Sequence, residues 1–127
     1  MAYNAIDNPT THYHYDRGLE AIDAALWPLA VENLVLVIKD EPRNADAHDW
    51  LGHAYAQLGR RELALRHLAQ ALKLDPRHVG ANAHLGTLHA VAGDKAKARH
   101  HLGVLARECG KQCTEYQELA KLIERKP

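Results

Sequence analysis

Small and apolar residues recur along this 127-residue chain at the three- and four-residue spacing of helices, with a helix breaker at regular intervals. The clearest segment runs from Asp49 to Pro76, DWLGHAYAQLGRRELALRHLAQALKLDP. Leu51, Gly52 and Tyr55 mark the inner face of one helix, and Ala64, Leu68 and Ala71 that of a second. Asp46 or a neighbour starts the first helix, and Gly59 ends it, because glycine tolerates the left-handed conformation of a C-terminal cap. The second helix runs to Leu74, since Pro76 biases Asp75 away from helical geometry.

The same pattern returns every 34 residues, a period diagnostic of repeat architectures. Gly18, Gly52 and Gly86 fall in one column, Ala30, Ala64 and Ala98 in a second, and Leu34, Leu68 and Leu102 in a third. Pro42 and Pro76 align with Gly110, and the turn position reads Ala25, Gly59, Gly93. Three units follow, 11–44, 45–78 and 79–112, after an N-terminal extension at 1–10. In the first, the turn is LWP, with Pro28 in the opening turn of the second helix. So short a turn requires two helices to pack closely, and Gly52 facing Ala64 is expected to let their backbones approach. Over the tail, 113–127, Thr114 and Gln117 form a capping box. Tyr116, Leu119, Leu122 and Ile123 then make the apolar stripe of a seventh helix that closes the last repeat.

The middle unit resembles a tetratricopeptide repeat on Leu51-Gly52, Tyr55, Ala64, Leu68, Ala71 and Pro76. The third unit departs from that pattern at His89 and Gly110, and the first at Ala21 and Pro28. Atypical terminal repeats are usual, because each has one neighbour only. The resemblance implies an all-α fold: a right-handed superhelix of three helix-turn-helix repeats plus a C-terminal capping helix. It also implies a non-catalytic adaptor that holds a protein or peptide segment in a concave groove.

Composition adds exclusions. Sixteen basic residues balance sixteen acidic ones, so no net field draws the chain to nucleic acid or to an anionic membrane. The longest apolar run, Leu34 to Ile38, is far short of a membrane span of ~20 residues. Neither a nucleophile–base arrangement nor a phosphate loop is present, the glycines being accounted for by packing and turns, so neither an enzyme nor a cofactor is expected.

Family geometry points His12, Tyr15, Leu19, Ile22 and Asp23 into the groove from the first unit. From the second come Asp46, Asp49, His53, Ala56 and Gln57, and from the third Gly80, Ala83, Thr87, Ala90 and Val91. Repeats that capture chaperone C-termini present a clamp of Lys, Arg and Asn to carboxylates. Here the inward positions hold no cation besides histidine, and Asp46 and Asp49 would repel a carboxylate. A segment with basic and apolar residues suits the groove better. Three repeats offer a surface on the order of 1,000 Å², which sets micromolar affinity as the expectation. The convex face, or self-association through the N-terminal end, offers a competing surface.

Ten histidines raise a second reading, a metal carrier. No two lie at i,i+3 or i,i+4, the spacing that converges imidazoles on an ion, although His53 with His84 or His89 across two helices is conceivable. Cys109 and Cys113 in CGKQC are compatible with a local disulfide, a redox or metal pair, or two free thiols. The stretch CGKQCTEYQEL is similar to the tail of small exported bacterial tetratricopeptide proteins, which implies a disulfide and a periplasmic location after removal of an export signal. A cytoplasmic location is the alternative, since the N-terminus lacks a basic region followed by an apolar block.

Overall fold

The computed structural model describes residues 8–125, so most of the extension expected at 1–10 lies outside the described residues. Seven helices fill the described chain: α1 Pro9–Asp23, α2 Trp27–Asp40, α3 Ala45–Gln57, α4 Arg61–Leu74, α5 Val79–Val91, α6 Lys95–Glu108 and α7 Thr114–Glu124. They form the hairpins α1/α2, α3/α4 and α5/α6, with α7 packed on both α5 and α6.

Local chemistry sets the boundaries. Asn8, Asn44 and Asp94 accept backbone N–H bonds in the first turns of α1, α3 and α6. Pro28 sits in the first turn of α2, where its missing N–H costs nothing. Each hairpin turn passes through a positive φ, at Ala25 (56°), Gly59 (75°) and Gly93 (86°), as the aligned turn column predicts. Gly110 does the same (83°) between α6 and α7. The cap of α7 differs from the sequence expectation. Cys113 holds it, its Sγ accepting from the Tyr116 N–H, and Thr114 is already helical.

Packing within a hairpin follows from the glycine column. A Cβ built on Gly52 would lie 2.6 Å from Leu68 Cγ and 3.2 Å from the Ala64 carbonyl oxygen. Gly52 therefore lets the Ala64 backbone approach, as expected, and also receives the branch of Leu68. Gly18 receives Leu34 in the same way, its Cβ position being 2.9 Å from Cγ. Gly86 breaks the pattern, because Leu119 of α7 fills its space at 2.6 Å. Ala30, Ala64 and Ala98 are fully buried, as are Leu34 and Leu68.

Between repeats, Ala47 and Ala81 are sealed on their N-terminal side by the preceding hairpin. Tyr13 occupies the same column with nothing before it among the described residues and is 58% exposed. Leu119 and Ile123 bury the opposite end. Successive first helices touch, α1 with α3, α3 with α5 and α5 with α7, whereas α2, α4 and α6 make no contact with one another. The stack therefore bends with α1, α3, α5 and α7 on the inside, as a helical-repeat superhelix.

Candidate functional site

The inner row of helices presents a graded surface. Tyr15, Leu19, His53, Ala56, Ala83, Thr87 and Ala90 are half-buried along it, and Asp23, Asp46 and Gln57 are exposed. His12 is exposed beside Asp16 at the N-terminal edge, Nε2 to Oδ2 3.3 Å. Val91, at the end of α5, is 74% exposed.

Asp49 is not an open charge. It is 2% exposed and accepts from His84 Nδ1–H at 2.7 Å. Its other oxygen packs against Gly80, leaving no room for a side chain there. The reason is the bend itself, which presses α3 against α5 so that the position serves the contact between repeats. Asp46 accepts from His78 Nε2–H at 2.5 Å and stays exposed, with its pKa lowered chiefly by that bond. His78 in turn accepts the Ala81 N–H that caps α5.

Carboxyl groups gather around Tyr15. Its phenol is pushed above the ordinary tyrosine range, first by burial and then by the charges of Asp46, Asp49 and Glu41. Glu41 is 8% exposed. Its Oε1 accepts from Asn44, while Oε2 is buried without a hydrogen-bond partner. Charge is also divided by layer. Helices α1, α3 and α5 carry Asp16, Glu20, Asp23, Asp46 and Asp49 against Arg17 alone, while α4 and α6 carry seven Lys and Arg against Glu62 and Glu108. A chain of zero net charge thus has an acidic inner row and a basic outer one.

The histidines are mostly structural. His14 Nδ1–H donates to Asn33 Oδ1 at 3.0 Å, and His101 Nδ1–H to Asn82 Oδ1 at 2.9 Å. Between these, His48 and His67 meet Nδ1 to Nδ1 at 3.2 Å. Since His48 Nε2–H donates to the Pro42 carbonyl at 2.8 Å, His48 Nδ1 accepts and His67 Nδ1–H donates. The three bridges occupy equivalent positions, residues 14/33, 48/67 and 82/101, and tie the two helices of each hairpin. Burial holds His67 and His101 at a pKa of about 4. His53 is held at about 4 by burial and then by His84, on which it stacks at 4.3 Å beside Trp27 and Trp50. No group of three or more His, Cys, Asp or Glu among the described residues is placed to hold a metal ion. Cys109 and Cys113 are bonded to each other as a disulfide joining α6 to α7, their Cα atoms 5.8 Å apart.

The sequence reading missed these bridges and Glu41. The signal was in the columns: His14 and His48 align with Asn82, and Asn33 with His67 and His101, so each pair has at least one histidine.

Residues 45–78, the α3/α4 unit, match the family model for the tetratricopeptide repeat. The fold of the chain is that of a tetratricopeptide repeat domain. The TPR2B domain of yeast Sti1, solved in complex with pHsp70, superimposes with a TM-score of 0.80 at 22% identity, over 91% of this chain and 94% of that one. The TPR domain of Arabidopsis OM64 gives a TM-score of 0.80 at 20% identity, with the same coverages, 91% and 94%. No curated protein matches the chain in sequence. Against these tetratricopeptide domains the likeness is one of backbone. In this chain the groove column of residues 15, 49 and 83 reads Tyr, buried Asp and Ala, so it supplies no cation. No helix among the described residues is long and apolar enough to cross a membrane.

Proposed function

We propose that this tetratricopeptide repeat chain is a non-catalytic adaptor that holds a protein segment along the inner row α1, α3, α5. The observation that carries this reading is the continuous contact of those helices, which leaves Tyr15, Leu19, Ala56, Thr87 and Ala90 as one open, half-buried strip. Stacked repeats use such concave surfaces because many shallow contacts along one line add up to specificity. The groove is not a receptor for a C-terminal carboxylate, for want of Lys or Arg on α3 and α5. A metal-carrier role lacks support: six of the ten histidines are bonded to Asn33, to each other, to Asp46, Asp49 or Asn82, and His84, the candidate partner of His53, is one of them. The Cys109–Cys113 bond suits an oxidising compartment, and we place the protein there on that ground.

The test is a peptide ligand selected from a display library and mapped by amide chemical shifts. Shifts concentrated on α1, α3 and α5, with binding weakened by Thr87→Trp and unchanged by Val35→Asp on the outer face, support the groove. Shifts confined to α2, α4 and α6 refute it.

A further inference from the structure

We infer that a second copy of this chain docks on the outer face of α2, in a two-fold, antiparallel pairing of α2 with α2 of the partner. The inference stands apart from the groove reading, because α2 belongs to the outer row and the inner row stays open in such a pair. Apolar surface is its first support. Val35 and Leu36 are adjacent in the middle of α2, and each is 41% exposed. Exposed Pro28 and half-buried Leu29 continue the same face toward Leu26, which is 52% exposed. Among the described residues no other helix leaves two neighbouring aliphatic side chains so uncovered in its middle. Helix α2 packs on α1 and α3 and does not touch α4, so the chain itself does not cover this face.

Charge complementarity identifies the occupant. Glu32 and Lys39 are exposed, lie one heptad apart on the face that carries Val35 and Leu36, and have no ion-pair partner among the described residues. A two-fold axis passing between Val35 and Leu36 sets Val35 against the partner's Leu36, and Glu32 against the partner's Lys39. Both ends of the contact then hold an opposite-charge pair, which is the self-complementarity that a closed two-fold interface requires. The same operation fails on the other outer helices. At the equivalent positions α4 has Arg66 and Lys73, and α6 has His100 and Arg107, so a copy would meet charge of its own sign or no carboxylate. Their middle residues are Ala69 with Gln70 and Gly103 with buried Val104, which offer little apolar area. The register is thus particular to α2, with repulsion on α4 excluding the alternative. One helix face falls below the ~1,200 Å² of a stable interface, so the dimer is weak, with a Kd on the order of 100 µM.

The test is sedimentation equilibrium of the whole chain from about 5 to about 500 µM, where the wild type is expected to pass from monomer toward dimer. Leu36→Gln should raise the Kd by about tenfold or more. Glu32→Lys and Lys39→Glu should each weaken self-association by roughly fivefold to tenfold, because like charges then meet at both ends of the contact. Mixed together, these two charge variants should pair with each other about as tightly as the wild type pairs with itself, since every facing pair is again opposite in sign. All three positions are exposed, so the variants should fold, and thermal melts check that they do. A wild type that stays monomeric at the highest concentration overturns the inference. A dimer that survives Leu36→Gln and is lost in Tyr13→Glu overturns it as well, by moving self-association to the N-terminal end. Charge variants that fail to pair when mixed overturn the antiparallel register, and the inference with it.

Discussion

Two helical glycines of this chain should respond with opposite sign to the same methyl group. Gly52 lies in α3 where an added Cβ would come 2.6 Å from Leu68 Cγ and 3.0 Å from its Cδ2. Gly103 lies in α6 where the nearest atom to such a Cβ is Arg107 Nη1 at 3.7 Å, an ordinary contact with a mobile side-chain end. Alanine gains about 1 kcal/mol over glycine in either helix through backbone entropy. At Gly103 nothing opposes that gain, so Gly103→Ala should stabilise by about 0.5–1 kcal/mol. At Gly52 the methyl must displace Leu68, which is fully buried and fixed between hairpins, and overpacking of this kind costs about 1–3 kcal/mol. The backbone oxygen of Ala64 at 3.2 Å closes the route by which α3 and α4 could slide. The net for Gly52→Ala is a loss of up to about 2 kcal/mol, and Gly52→Leu should cost more. Urea titration followed by circular dichroism measures both, and about 1 kcal/mol corresponds to a melting shift near 4 °C in a chain of this size. A Gly52→Ala protein as stable as Gly103→Ala would show that the two helices do not meet through Leu68, and the packing account would fail.

Acid should weaken the fold before the carboxylates titrate. His53, His67 and His101 are neutral in the folded chain down to about pH 4, whereas unfolded imidazoles protonate near 6.5. The unfolded state therefore binds more protons in that window, and stability falls from pH 6.5 toward 4 by on the order of 1–3 kcal/mol per buried imidazole. His78, raised by its bond to Asp46, opposes this, less effectively because protonation of its Nδ1 removes the Ala81 cap. Denaturation midpoints across pH 4–7 should show the slope, and His101→Gln should flatten it; an unchanged slope contradicts the bridge. Asp49→Ala should cost about 1–3 kcal/mol by orphaning His84 beneath the groove, measured by the same titration, and a neutral result would mean that the bond between repeats is idle. Reducing Cys109–Cys113 removes a short loop constraint worth about 2 kcal/mol, so amides of α7 should exchange faster while those of α3 and α4 hold. Uniform acceleration would place the effect elsewhere.

The helix pairs were legible because the units state their own boundaries: a glycine at the turn, Gly59 or Gly93, and a proline after Leu74. What a single column could not show was the role of a residue whose two sides face different neighbours. Asp49 sits in the inward register and reads as a groove charge, but the bend that makes the groove also closes over it. Gly86 shares its column with Gly18 and Gly52, yet its partner comes from α7, outside the repeat period. The helix-to-helix bridges hid because Asn and His exchange places between units, so identity matching missed a preserved hydrogen bond. Glu41 gave no signal at all, being one residue from a proline that explained itself.

The two ends of the stack are unlike. At one, Tyr13 is covered by none of the described residues in a column that is sealed in the next two units; at the other, α7 is both packed on α5 and α6 and covalently stitched to the helix before it. In a structure whose units hold only their neighbours, opening propagates from a boundary, and the boundary with fewer contacts starts it. The molecule is thus a fastener sewn shut at its C-terminal end. Thermal fluctuations should loosen α1 and α2 first, so that the part of the groove around Tyr15 is the first to breathe and Leu119, under its disulfide, the last to see water.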